Sequence, residues 1–116
     1  MTVRILPVRA GVPFQSFQVD LDGVPFNFEI RWNERAPAWV MALRDAQGLV
    51  LREGIRLCLG TPLLPPQRPA TFPAGELLLV EDEGEGVDPG ENELGADARV
   101  RLVYLEAVDV AEALNG

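Results

Sequence analysis

Carboxylates are the most abundant chemically active side chains in this sequence of 116 residues. It contains 18 of them against 10 basic residues, all arginine, and it has no histidine. Without histidine and lysine it has no imidazole base, no histidine metal ligand and no Schiff-base amine. The only serine, Ser16, lacks a base to activate it, and the only cysteine, Cys58, can form neither an intrachain disulfide nor a cysteine-rich zinc site. The functions that this composition still allows are carboxylate chemistry and binding.

An acidic, glycine-rich segment over residues 81–95 holds seven of the acids. Carboxylate oxygens bind Ca²⁺, and glycines allow the tight turns between such ligands. The segment lacks the alternating Asp or Asn ligands and the closing Glu of a helix-loop-helix calcium site. We therefore favour a solvated loop or a patch that faces a basic partner, and no metal site. The acids that we expect to meet a partner are Asp82, Glu83, Glu85 and Asp88.

The net charge of −8 is concentrated at one end of the chain. Residues 1–75 carry eight arginines and six acids, whereas residues 76–116 carry two arginines and twelve acids. This balance argues against nucleic acid and against an anionic membrane as partners, because most of the surface would repel them. It predicts an oriented contact with a basic neighbour.

A pair of carboxylates could in principle hydrolyse glycosides, with Glu29, Glu76 and Asp88 as nominal candidates. No spacing singles out a pair, and Glu29 falls on the outward face of a predicted strand, where a carboxylate is usually a solvated charge. We therefore predict a protein that is not an enzyme and that needs no cofactor.

Period-two alternation on both sides of Asp22-Gly23, within residues 16–33, predicts a β-hairpin. Further strands are predicted over residues 39–44, 76–80 and 100–106, with one or two short strands over residues 49–59, broken near Glu53-Gly54. The strand over 100–106 is substantially apolar on both faces, which predicts that it is covered on two sides or that one face is buried in a partner. Trp32 and Trp39 follow the apolar faces of their strands and are expected in the core.

Five prolines lie between residues 60 and 75. Because proline cannot donate to a sheet and breaks helices, this stretch is predicted to be an extended surface connection. Leu63, Leu64 and Phe72 are its large apolar side chains, and we expect them to contact partners.

These segments predict a single all-β domain over residues 1–106, an antiparallel barrel or sandwich of about six to eight short strands. Residues 107–116 are predicted to form a tail or one helical turn. No run of eighteen apolar residues occurs and the N-terminus has no apolar stretch, so we expect no membrane segment and synthesis in a cytoplasm.

Short motifs follow one another in a characteristic order over residues 3–105. They are Leu6-Pro7-Val8, Ile30-Arg31-Trp32-Asn33, Trp39, Gly54-Ile55-Arg56-Leu57, Leu63-Leu64, Pro73-Ala74-Gly75-Glu76-Leu77, Asp88-Pro89-Gly90, Leu94-Gly95 and Val100-Arg101-Leu102-Val103-Tyr104. In this order they resemble the baseplate plug proteins of contractile-tailed bacteriophages.

The resemblance implies a non-enzymatic structural protein of the virion, made in the bacterial host and located in the tail baseplate. Its partners there would be hub, tube and spike proteins, within an oligomer or ring. The family supplies no active-site residues. The alternative is a free-standing small β-barrel that binds a small ligand, but the sequence has few polar residues able to orient one.

Overall fold

A computed structural model describes residues 3–65, 67, 69, 71–81 and 86–106. These residues form two antiparallel sheets that pack as a sandwich, and they form no helix. The predicted all-β fold is confirmed, and of its two forms the sandwich is found rather than a closed barrel. The strands are β1 (Val3–Ile5), β2 (Phe14–Leu21), β3 (Val24–Asn33), β4 (Ala38–Asp45), β5 (Val50–Arg56), β6 (Glu76–Glu81) and β7 (Val100–Leu105).

Within the described part of the chain, no helix is long and apolar enough to cross a membrane. Residues 107–116, predicted as a tail or a helical turn, lie outside that part.

Four consecutive strands form one sheet in the order β2-β3-β4-β5. The first hairpin turns at Asp22 and Gly23, whose φ angles are 53° and 78°, and it places Leu21 opposite Val24. Two central residues with positive φ make the mirror-image turn whose twist matches that of paired strands, and Asp and Gly tolerate it. The predicted hairpin is confirmed.

The turn between β4 and β5 is fixed by an aspartate. The Asp45 Oδ1 atom accepts hydrogen bonds from the backbone N–H groups of Gln47 and Leu49, at 3.0 and 2.9 Å. The predicted stretch 49–59 contains one strand, β5, which continues through Glu53-Gly54, so the break predicted there is wrong. Its register against β4 shifts between Met41 and Arg44. The shift lets an irregular strand keep pairing with its neighbour.

The other sheet has the order β1-β7-β6, with β7 in the middle. The inner face of β7 is completely buried in the sandwich. Val103, on its opposite face, is only 3% exposed. Arg101 and Leu105 on the same face are half-buried, and Ile5, which pairs with Val103, is 50% exposed. The second face of this central strand is therefore only partly covered within the described residues, and its burial against a partner stays a prediction.

The core lies between the inner faces of the two sheets. Trp39 is fully buried in it, and the half-buried Trp32 packs edge-on against Trp39 with ring centroids 5.5 Å apart. The core prediction for both tryptophans is confirmed. Burial of each large apolar side chain contributes about 1.5–3 kcal/mol. The largest fully buried side chains are Trp39, Tyr104, Phe28, Leu6, Leu21, Ile30, Met41, Leu43, Leu57, Leu77, Leu94 and Leu102.

Candidate assembly surfaces

The acidic segment between β6 and β7 is anchored on one arginine. Nη1 of Arg99 lies 2.8 Å from Oε2 of Glu81, and its Nε lies 3.1 Å from Oε2 of Glu93. Its Nη2 also donates to the carbonyl oxygen of Val87 at 3.0 Å. The side chains of Arg99 and Glu81 are only 16% and 14% exposed. Charge-assisted hydrogen bonds of this kind are short and strong, so Arg99 ties the two ends of the segment together.

The same two carboxylates also hold the backbone of the segment. Oε1 of Glu81 accepts from the N–H of Gly86, and Oε1 of Glu93 accepts from the N–H of Gly90, both at 2.8 Å. The hydrogen bond from Arg99, followed by that from the Gly90 backbone, lowers the pKa of Glu93. Glu81 and Glu93 therefore serve the fold of this chain.

Asp88, which the sequence predicts as a partner contact, makes a contact within the chain. Its Oδ1 atom accepts a hydrogen bond of 2.9 Å from the backbone N–H of Leu59. Asp88 also lies near Cys58. Burial raises the pKa of the Cys58 thiol, and the negative charge of Asp88 adds to that effect. The other predicted acidic contacts, Asp82, Glu83 and Glu85, lie outside the described residues.

The proline-rich connection is held to the sandwich by its leucines. Leu63 and Leu64 are 6% and 3% exposed and belong to the core, and the N–H of Leu63 donates to the carbonyl oxygen of Leu77 at 3.0 Å. Phe72 is half-buried and borders a shallow concavity beside the hairpin turn at Asp22. The sequence predicts that all three side chains contact partners, and the structure places two of them inside the monomer. Their contact with partners stays a prediction.

The outer face of the four-stranded sheet carries basic side chains, one of which forms an ion pair with an acid. Nη2 of Arg44 lies 2.7 Å from Oε2 of Glu29, across neighbouring strands. Arg31 and Arg56 lie in register on this face and are exposed, together with Phe14. This face is a second polar surface, at a distance along the chain from the acidic segment.

The nominal carboxylates for hydrolysis occupy separate elements. Glu29 lies on β3 and pairs with Arg44, Glu76 begins β6, and Asp88 lies in the loop that precedes β7. Among the described residues, no group of three or more His, Cys, Asp or Glu side chains is placed to hold a metal ion.

Sequence reasoning missed three long-range hydrogen bonds made by Tyr104 and Trp39. The hydroxyl of Tyr104 donates to Oδ2 of Asp22 at 2.5 Å, and it accepts from the backbone N–H of Gly75 at 2.7 Å. Nε1 of Trp39 donates to the carbonyl oxygen of Gly90 at 3.0 Å. The bonded residues are 29 to 82 positions apart in the chain, so no local sequence pattern predicts these hydrogen bonds.

The chain is thus a small β-sandwich in which Arg99 forms ion pairs with Glu81 and Glu93. A family model, described as cyanophage baseplate Pam3 plug gp18, matches residues 3–107. The chain belongs to this baseplate plug family, and the predicted resemblance is confirmed. A comparison with curated proteins gives no match. Membership indicates a structural phage protein of the virion's tail baseplate that associates with other baseplate components.

Proposed function

We propose that this protein is a non-enzymatic plug of a phage tail baseplate and acts only through protein–protein contacts. The observation that carries the proposal is the family match, which spans nearly all of the described fold. Its neighbours would be hub, tube and spike proteins, among which it would form part of an oligomer or ring. It would be made in the cytoplasm of the bacterial host before assembly.

Three acids of the segment between β6 and β7 are the first candidates for a basic partner. Asp82, Glu83 and Glu85 lie between Glu81 and Gly86, whose side chain and backbone N–H are joined by a hydrogen bond. The anchoring acids of the segment are already used within the chain. The acids proposed to bind a basic partner are therefore Asp82, Glu83 and Glu85. Asp88 would contact the partner while also accepting the hydrogen bond from Leu59.

The proline-rich connection is proposed as the apolar part of the contact. Phe72 remains half-exposed at the concavity beside Asp22, so its ring is available to a neighbour. Leu63 and Leu64 would support that contact by fixing the connection to the core, since both are almost fully buried.

Incorporation into tails tests the acidic contact directly. The triple variant Asp82→Asn, Glu83→Gln, Glu85→Gln would be co-expressed with the hub, tube and spike proteins of the same tail, and plug protein would be quantified in purified baseplates. A matched triple, Asp20→Asn, Glu34→Gln, Glu53→Gln, changes the net charge equally at exposed acids elsewhere in the sequence. We expect loss of incorporation for the first triple only.

Equal incorporation of both triples would mean that the acidic segment is solvated surface. Absence of wild-type protein from baseplates would overturn the plug function itself. Asp88→Asn would be tested separately, because it also breaks the hydrogen bond to Leu59.

A further inference from the structure

The two sheets have four edges, and three of these are protected against pairing with another chain. β1 is only three residues long and includes Arg4. β6 is covered by the proline-rich connection, through a bridge between Leu59 and Leu79 and a hydrogen bond from Leu63 to Leu77. β5 has a shifted register and charged residues at three of its seven positions. Short edges, covered edges, bulges and charges are the usual protections of natural sheets.

The edge formed by β2 lacks these protections over most of its length. It is eight residues long, and the run FQSFQV over residues 14–19 contains no charge, proline or glycine. Phe14 is 59% exposed, and Ser16 and Gln18 are exposed as well. The described residues place β3 on one side of β2 and no strand on the other. An open, uncharged edge of this length is a template for strand addition.

The hairpin turn determines which backbone groups of β2 face the open side. A two-residue turn makes Leu21 and Val24 a hydrogen-bonded pair, and such pairs then alternate along the ladder. Residues 15, 17, 19 and 21 therefore bond to β3, whereas residues 14, 16, 18 and 20 direct their N–H and C=O groups outward. Two contacts agree with this phase. The N–H of Trp32 donates to Pro13, and Nη1 of Arg4 donates to the outward carbonyl of Asp20, at 2.8 and 2.7 Å.

Arg4 thus closes one end of the edge, and no other described residue bonds to the outward groups of Phe14, Ser16 and Gln18. An antiparallel β2 strand of a second copy can pair its own three open residues with these three in one register only. That register places Ser16 opposite Ser16 of the copy and Phe14 opposite Gln18. In this register every facing side chain is uncharged. A shift by two residues would place Phe14 opposite Asp20 and would need the carbonyl that Arg4 already occupies.

We propose that β2 pairs antiparallel with β2 of a second copy of this chain, with Ser16 on the two-fold axis. The two four-stranded sheets then form one continuous sheet, and each of the three facing pairs exchanges two backbone hydrogen bonds. Ser16 suits the axis because its small side chain tolerates its own copy at close range. The inference goes beyond the plug function and concerns the chain alone, so its failure would leave the incorporation test unaffected.

Disulfide trapping reads out both the contact and its register. In a Cys58→Ser background, Ser16→Cys places two thiols on facing residues about 5.5 Å apart between Cα atoms, within the range of a disulfide. The matched control Gln18→Cys places its thiols about 14 Å apart in the same dimer, which no disulfide spans. With copper–phenanthroline as oxidant, we expect a covalent dimer from Ser16→Cys and none from Gln18→Cys. Equal trapping of both variants, or of neither, overturns the proposal.

Sedimentation of the purified chain provides a measurement that needs no cysteine. Ser16→Lys opposes two like charges on the axis, and we expect at least about tenfold weaker dimerisation. Val50→Lys adds the same charge to the exposed edge residue of β5 and should leave the dimer unchanged. Circular dichroism melts of both variants verify that they fold. A wild-type chain that stays monomeric at about 0.1 mM, or equal weakening by both lysines, overturns the proposal.

Discussion

The two sheets are assembled from contacts of different range along the chain. In the four-stranded sheet each strand pairs with the next one through a short turn. In the three-stranded sheet β1 pairs with β7, so that Val3 lies opposite Leu105, and β6 reaches β7 across the acidic segment. Pairing between distant segments must offset the entropy of closing a long loop. The three-stranded sheet therefore depends more on contacts outside its own ladder.

Those contacts are few and specific. Tyr104 on β7 bonds to Asp22 in the hairpin turn of the other sheet, and it holds Gly75 directly before β6. Arg99, directly before β7, holds the segment that follows β6. The four-stranded sheet is specified mainly by its turns and by apolar alternation. The three-stranded sheet is positioned by a small number of polar groups and close approaches, which single substitutions can remove.

The largest effect is expected at Gly75. A Cβ atom added there would lie 1.9 Å from the carbonyl oxygen of Leu105 and 2.8 Å from the Tyr104 ring and hydroxyl. Because backbone must move to relieve this overlap, Gly75→Ala should lower the free energy of unfolding by about 3 kcal/mol or more. Denaturant unfolding followed by tryptophan fluorescence measures the change.

The matched variant in the four-stranded sheet is Gly48→Ala. Gly48 has a φ of 87° but open space around its Cβ position, so alanine there costs only the backbone strain of about 1 kcal/mol. Equal costs at the two glycines would contradict the difference drawn between the sheets.

A smaller but clear loss is expected for Tyr104→Phe. The variant keeps the buried ring and removes the hydroxyl, which leaves the buried N–H of Gly75 without this acceptor. An unsatisfied buried donor costs about 1–3 kcal/mol. Asp22→Asn should cost less, because asparagine tolerates positive φ and keeps an acceptor oxygen. Unfolding midpoints for Tyr104→Phe that match the wild type would show that the hydroxyl does not position the sheet.

The difference between the sheets also explains how much the sequence could predict. The hairpin at Asp22-Gly23 and the core position of Trp39 follow from local alternation and turn chemistry, and both are confirmed. The largely buried position of β7 was recognisable because both of its faces are apolar. The family was recognisable because its motifs occur in order along the whole chain.

The missed features are long-range ones. A high proline content predicts irregular backbone over residues 60–75, but it does not determine the direction of a side chain, so the burial of Leu63 and Leu64 was not foreseen. The sequence alone does not show which acidic residues of a loop form ion pairs within the chain. Only the fold shows that Glu81 and Glu93 bind Arg99 within the chain.

A pH-dependent contribution to stability is expected from the Glu93–Arg99 contact. The hydrogen bond from Arg99 lowers the folded-state pKa of Glu93. The stabilisation is therefore fully present above the ordinary carboxyl pKa and is lost as the pH falls through the lowered folded value. Glu93→Gln should flatten the acid limb of the curve of Tm against pH, as measured by calorimetry.

Arg99→Gln supplies the control for this contact. It removes this contact together with those to Glu81 and Val87, so it should flatten the same limb at least as much. Adding Glu93→Gln to Arg99→Gln should then change little, because the Glu93–Arg99 contact is already absent. Additive flattening would mean that the two residues act on the acid limb separately.

The smallest effect concerns Cys58, which lies where the chain leaves the four-stranded sheet for the other one. Burial raises the pKa of its thiol, and the nearby charge of Asp88 raises it further. Because the thiolate is the reactive form, alkylation by iodoacetamide near pH 8 should be slower than for an exposed peptide thiol. Asp88→Asn removes that charge and loosens the hydrogen bond to Leu59, so the rate should rise. An unchanged rate would show that Asp88 neither raises the pKa of the Cys58 thiol nor limits its accessibility through the hydrogen bond to Leu59.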